Sequence, residues 1–157
     1  DLYKFRATGL RFFTVYGPWG RPDMAYFKFA KAIHEGVPLK IYNGGDMRRD
    51  FTYIDDIVDG VLAVVDGKGP HELHRVYNLG NSQPEPLMHL VSCLESAIGK
   101  KAKLEMLPMQ MGDVRETYAD ITSSTDELGY VPKTQLVEGL AQFACWFGEY
   151  VKRFAQS

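Results

Sequence analysis

From Gly9 to Tyr16 every position except Arg11 is apolar, aromatic or β-branched, or is glycine, and the chain then runs straight into Gly17-Pro18-Trp19-Gly20-Arg21-Pro22. Flat and branched side chains fit a pleated, buried surface, and a segment without polar alternation suits a strand covered on both faces. Such strands belong to parallel sheets, whose strands are joined by crossover helices. The glycines and prolines that follow close the strand with a stiff loop. The segment therefore points to an α/β architecture in which a strand empties into a loop at its carboxyl end, where ligands of open α/β sheets bind.

The rest of the chain agrees. Tyr26, Phe29, Ala30 and Ile33 repeat at helical spacing, and Gly36 followed by Pro38 ends that helix. Leu39 to Tyr42 and Arg48 to Ile54 flank Asn43-Gly44-Gly45-Asp46 and read as a strand-loop-strand element. Asp55 or Asp56 reads as the cap of a helix whose face is Ile57, Val58, Val61, Leu62 and Val65. A polar stretch leads to the short strand Arg75 to Leu79, then to a helix with Leu87, Leu90, Val91, Leu94 and Ile98 that Gly99 ends. Ala102 to Leu107 reads as a strand and Thr122 to Leu128 as a short helix stopped by Gly129. Leu136, Leu140, Phe143, Phe147 and Val151 mark a final amphipathic helix. Strands and helices alternate throughout 157 residues, 45% of them hydrophobic, which suits one compact α/β unit.

The net charge is −2 and no long Lys/Arg run occurs, so the sequence offers no electrostatic footprint for nucleic acid or an anionic membrane. Nothing approaches the ~18 uninterrupted apolar residues of a spanning helix, and Asp1 to Arg6 is no signal-peptide core, so a soluble, cytoplasmic chain is expected. Cys93 and Cys145 fall inside apolar helical patterns and read as small buried thiols. With no initiator Met before the first strand, the chain is expected to be part of something longer.

Asp55, Asp56 and Asp59 form a carboxylate cluster, but acidic residues at a helix start complement its dipole, and that reading is preferred to a metal or acid/base site. His71, Glu72 and His74 lie in a Gly/Pro-bounded polar loop without a fourth ligand, so no zinc site is expected. His34 and His89 are single surface-helix residues, and no Ser/His/Asp set is legible. Arg48-Arg49 beside a Gly-Gly turn can grip a diphosphate through bidentate, charge-assisted bonds, although spacing alone favours a solvated charged edge. Arg21, between Gly20 and Pro22, is a second cation on a stiff loop.

Five blocks then carry a family resemblance: Gly9 to Ala25 (GLRFFTVYGPWGRPDMA), Met47 to Val58 (MRRDFTYIDDIV), Val76 to Asn81 (VYNLGN), Leu107 to Val114 (LPMQMGDV) and Leu128 to Pro132 (LGYVP). In this order they resemble NAD-dependent nucleotide-sugar epimerases of the extended short-chain dehydrogenase/reductase superfamily, and above all UDP-glucuronate 4-epimerases. The resemblance covers nearly the whole chain. It implies the substrate-binding C-terminal lobe of an extended Rossmann-type fold as a single unit over residues 1–157, plus two strands, Leu10 to Val15 and Val76 to Leu79, that complete the dinucleotide domain's sheet. The family's Gly-x-x-Gly-x-x-Gly loop and Tyr-x-x-x-Lys pair do not occur here, so the N-terminal NAD-binding domain is expected to be absent and the chain to be inactive alone.

The resemblance also implies roles. Thr14 matches a polar position at the sugar end of the substrate, Phe12 and Phe13 lie beside the nicotinamide, Tyr42 meets the uracil and Arg49 contacts the diphosphate. Gln110 stands where relatives place a second phosphate-binding arginine, which shifts that grip to Arg48 or Arg115. The implied chemistry is hydride removal from C4 of a UDP-hexuronate by NAD, rotation of the 4-keto sugar and hydride return. That intermediate is a β-keto acid, so its carboxylate must be anchored against decarboxylation, with Thr14 and Arg21 as candidates. Rival readings are a non-catalytic nucleotide-sugar-binding module, a UDP-uronate decarboxylase and a UDP-glucose epimerase. The open edge of the Leu10 to Val15 strand implies self-association.

Overall fold

The computed structural model describes residues 5–70, 74–109, 112 and 114–154. In chain order the elements are β1 (Ala7–Phe12), β2 (Thr14–Tyr16), α1 (Ala25–Glu35), β3 (Pro38–Tyr42), β4 (Arg48–Arg49), β5 (Phe51–Tyr53), α2 (Ile54–Val65), β6 (His74–Leu79), β7 (Glu85–Pro86), α3 (Leu87–Ile98), β8 (Lys103–Leu107), α4 (Thr122–Leu128) and α5 (Leu136–Phe154). The α/β class expected from the sequence is the class observed. Left-handed Gly36 and Gly99, at φ 69° and 74°, close α1 and α3 where the sequence placed their ends.

The first strand differs from expectation. It is broken at Phe13, because the chain changes partners there: β1 pairs in parallel with β6, whereas β2 pairs in parallel with β5. The Phe13 amide donates to the Leu79 carbonyl at 3.3 Å and the next amide, Thr14, to the Asp50 carbonyl at 3.1 Å. The segment is also less covered than its composition suggests, since Leu10 is half-buried and Phe12 exposed.

The strand-loop-strand expectation for residues 39–54 is corrected as well. β3 pairs in parallel with β8, while β4 pairs antiparallel with β7 and β5 joins β2. Asn43-Gly44-Gly45 forms a single 3-10 turn that redirects the chain instead of folding it back on itself.

The main core lies between α1, α3 and α5 and the buried side of β3 and β5, with Tyr16, Tyr26, Ile41, Leu90, Leu94, Leu140 and Phe143 almost fully enclosed. A smaller core joins α2, β6 and α4 through Ile57, Ala63, Tyr77, Leu79, Leu128 and Tyr130. Helix α2 corrects the predicted face: Ile57 is buried, but Val58, Leu62 and Val65 point outward. Its caps differ too. Tyr53 is the N-cap residue, and the buried Asp56 carboxylate accepts from the Lys133 and Thr134 amides at 3.1 and 3.0 Å, tying down the approach to α5. Cys93 is buried as expected, whereas Cys145 is exposed on α5. His74 lies on β6, while His71 and Glu72 lie outside the described residues.

Asp50, between β4 and β5, is fully buried. Its carboxylate accepts from the amides of Asn81, Ser82 and Ala119 at 2.7, 2.9 and 2.9 Å, and from the Thr52 hydroxyl at 3.3 Å. Losing that acceptor strands buried donors, so Asp50→Ala is expected to lower the unfolding free energy by roughly 3 kcal/mol or more. Asp55→Ala, at an exposed position five residues on, should cost under about 1 kcal/mol. Urea denaturation of both variants at neutral pH checks the contrast.

Candidate functional site

Two cavities open where β2 leaves the β1–β6 pair. The first, about 590 Å³, is lined by Thr14 at the start of β2, one face of α1, β3, and Met47, Arg49 and Phe51. Helical spacing explains the α1 contribution: Ala25, Lys28, Phe29 and Ala32 recur at i, i+3, i+4 and i+7, and all four line the cavity. Along β3, Pro38, Leu39, Lys40 and Tyr42 all line the cavity, with Lys40 exposed and Tyr42 half-buried, while Ile41 is enclosed in the core. The charged groups of this wall are Lys28, Lys40 and Arg49 against Asp23. Three cations to one carboxylate, over an apolar floor of Phe29, Met47, Phe51 and Leu87, suit an anion attached to a flat ring.

Arg49 is the arginine placed best for this. Its Nη1 donates to the Arg48 carbonyl at 2.8 Å and to the Arg115 carbonyl at 3.3 Å, which fixes the guanidinium at the cavity wall. Arg48 and Arg115 line neither cavity. Arg48 reaches the Pro84 carbonyl at 2.5 Å and pairs with Glu116 at 3.7 Å, and Arg115 pairs with Asp46 at 2.6 Å. Successive residues of an extended chain point to opposite faces, so only one of the Arg48-Arg49 pair can face the cavity. Gln110 lies outside the described residues.

The second cavity, about 670 Å³, brings together Phe12, Phe13, the Gly17 to Arg21 loop, Tyr26, Tyr53 and Asp55. Met24 lines both cavities, so they adjoin. The structure thus splits the expected site: Thr14, Tyr42 and Arg49 share one cavity, and Phe12, Phe13 and Arg21 the other. Arg21 is exposed and turned to its own loop, pairing with Asp23 at 3.3 Å and donating to the Met24 sulfur at 3.3 Å. An exposed pair of this kind contributes about 0–1 kcal/mol, so Asp23 is readily exchanged for another carboxylate.

Three phenols, Tyr16, Tyr26 and Tyr53, line this second cavity, and burial first of all pushes each of them above the ordinary tyrosine value. A phenol used as a general base needs the opposite shift. Neither cavity wall carries a histidine or cysteine. Among the described residues no group of three or more His, Cys, Asp or Glu is arranged to hold a metal, and no helix is long and apolar enough to cross a membrane.

Sequence reasoning missed Lys28, Lys40 and the floor residues Phe29 and Met47, although helical and strand periodicity could have placed the two lysines beside Tyr42. Asp50 and its hydrogen bonds had no local signal.

Comparison with known proteins decides the family. Residues 1–80 match the NAD dependent epimerase/dehydratase family. The chain belongs to that family. An uncharacterized protein of Methanocaldococcus jannaschii is 53% identical over 148 residues, covering 94% of this chain and 44% of that protein. A probable UDP-glucuronate 4-epimerase of Rhizobium meliloti is 44% identical over 168 residues, covering 97% of this chain and 49% of its own length. The structure of a UDP-glucuronic acid 4-epimerase mutant from Bacillus cereus, in complex with UDP-4-deoxy-4-fluoro-glucuronic acid and NAD, has a TM-score of 0.84 and 35% identity, over 91% of this chain and 45% of that one. The chain spans about half the length of these relatives and matches the C-terminal half of the extended epimerase fold.

The family's cofactor is NAD. Here Phe12 and Phe13 line the second cavity, and no Gly-x-x-Gly-x-x-Gly loop and no Tyr-x-x-x-Lys pair occurs in the sequence.

The loop that carries Arg21 rests on a close approach. A β-carbon on Gly20 would fall 1.5 Å from the Tyr26 hydroxyl oxygen. Gly20→Ala should therefore displace the loop or the ring and lower the unfolding free energy by about 1–3 kcal/mol, as overpacking does elsewhere. Thermal and urea unfolding of that variant checks it.

Proposed function

We propose that this chain is the substrate-binding portion of an NAD-dependent UDP-sugar 4-epimerase acting on UDP-glucuronate and UDP-galacturonate. The observation that carries the reading is the first cavity, where Thr14, Tyr42 and Arg49, singled out from the sequence, meet at a wall with an excess of cations. In this reading Tyr42 and the apolar floor take the uracil, Arg49 holds the diphosphate with Lys28 and Lys40 close by, and the sugar extends past Thr14 and Met24 to the junction with the second cavity. Arg21 exchanges Asp23 for the uronate carboxylate there, which keeps the carboxylate out of the geometry that decarboxylates a β-keto acid. The relatives named for UDP-glucuronate support that substrate class.

No chemical step is assigned to residues of this chain. We infer that the dinucleotide-binding portion is supplied from outside it, against the uncovered side of β1 and α2. Phe12 on β1 and Val58, Leu62 and Val65 on α2 are exposed, Val65 to 73%. A patch of that kind is usually an interface.

Calorimetric titration tests the site. Wild-type chain should bind UDP and UDP-glucuronate but not NAD. Arg49→Ala should weaken both uridine ligands, and Arg21→Ala should weaken UDP-glucuronate roughly ten- to hundredfold while leaving UDP nearly unchanged, because losing a bidentate contact to a partly desolvated anion costs on the order of 1.5–3 kcal/mol. Equal losses for the two ligands in Arg21→Ala would take Arg21 out of the site and leave Thr14 as the carboxylate contact.

The uncovered strand and helix also imply self-association of the chain by itself. Sedimentation velocity should show a dimer or larger species at high concentration. A strict monomer would count against an interface at β1.

A further inference from the structure

Gly17 to Gly20 form a hydrogen-bonded turn, with the Gly20 amide donating to the Gly17 carbonyl at 3.3 Å. Pro18 occupies its second position and Trp19 its third, at φ +62°. A positive φ at the third position, after proline at the second, is the mark of a type II turn, where glycine or asparagine is the residue of choice because a β-carbon is unfavourable. Here the position holds the largest side chain of all. The residue is also 78% exposed. Neither the backbone nor burial explains a tryptophan at this place, and a strained residue held beside a ligand cavity is a reason to look for function.

What the ring does touch is Trp146 on α5, with ring centroids 5.4 Å apart and planes tilted by 53°. Trp146 is itself held by a stack on Tyr150 at 5.1 Å, by an edge contact with Phe27 and by a tilted contact with Phe143. It is therefore a fixed point on the rim of the core. The next residue, Gly20, lies against the buried Tyr26 ring. The loop is thus pinned by Trp19 on its outer side and Gly20 on its inner side, and Arg21 follows at once. Beyond Arg21, the Met24 amide bonds back to the Arg21 carbonyl at 3.1 Å.

We propose that Trp19 is a positioning residue for Arg21: its contact with Trp146 sets the Gly17 to Pro22 loop so that the guanidinium reaches the junction of the two cavities, and the loop thereby selects acidic sugars over neutral ones. The proposal rests on the assignment of Arg21 to the uronate carboxylate. A tryptophan kept only for stability would behave differently, since glycine at position 19 relieves the backbone and removes an exposed apolar ring.

The test uses Trp19→Gly, Trp19→Phe and Arg21→Ala in the whole chain, with UDP, UDP-glucose and UDP-glucuronate as calorimetric ligands. Trp19→Gly should unfold at the wild-type temperature or higher and bind UDP and UDP-glucose within about twofold of wild type, yet bind UDP-glucuronate about fivefold or more weakly. Trp19→Phe, which restores a ring on Trp146, should recover most of that loss. The chain has two tryptophans, Trp19 and Trp146, so the part of its near-ultraviolet circular dichroism that Trp19→Gly removes and Trp19→Phe leaves altered reports their contact. UDP-glucuronate should change that signal and UDP should not. If Arg21→Ala discriminates between UDP and UDP-glucuronate but Trp19→Gly does not, the positioning role is overturned and the site stands. If Arg21→Ala fails to discriminate, or no uridine ligand binds, the site reading falls and the proposal falls with it.

Discussion

The Asp50 carboxylate is the interaction on which the arrangement depends. Burying a charge is costly unless its lone pairs are all used, and here three amides and a hydroxyl use them. Those donors come from the turn after β6, from the segment before α4 and from β5, which are far apart in sequence. One side chain thus ties together segments next to the main core and the smaller one. Its own carbonyl accepts the Thr14 amide at 3.1 Å, so the same residue sets the strand that carries the first cavity's polar edge. Arg49 sits immediately before it and inherits a fixed place on the wall. Asp56 does the same work on a smaller scale by holding the amides of Lys133 and Thr134.

The partner exchange at Phe13 is the geometric origin of the site. A strand that stays with one neighbour leaves no room at its end, whereas one that passes from β6 to β5 opens a crevice on each side of the switch. Thr14 faces one crevice, while Phe12, Phe13 and the Gly17 to Arg21 loop face the other. The division has an electrostatic counterpart. Cations gather in the first cavity, and the second has Arg21 with Asp55, next to phenols that burial holds neutral. Such a surface suits binding and orientation of an anionic ligand, and burial disfavours the phenolate form of its tyrosines.

Much of the site was legible in the residues because it depends on local order. Thr14 and Arg21 are placed by a strand and the stiff loop that ends it, and Tyr42 by alternation in β3. The Arg48-Arg49 pair shows the limit of such reading. Period-two alternation says that one arginine faces the cavity and the other faces away, but only the antiparallel pairing of β4 with β7 decides which. Val58, Leu62 and Val65 are apolar at helical spacing, which predicts a core-facing stripe, yet they are exposed, because periodicity finds an apolar stripe and cannot say what covers it.

The sequence by itself determined the α/β class, the extent of the helices and their glycine stops, since these follow from side-chain periodicity and from backbone conformations that glycine adopts without penalty. It also determined which charged and aromatic residue types were available to line the two cavities. The tertiary structure alone decided that the Gly9 to Tyr16 segment is two strands, that β3 pairs with β8, that Asp56 serves a distant loop instead of its own helix, and that Arg49 and not Arg48 faces the cavity. Each of these is a choice among pairings with nearly equal local energies. It is settled by which buried hydrogen bonds can be completed at long range, and no local window of sequence contains that information.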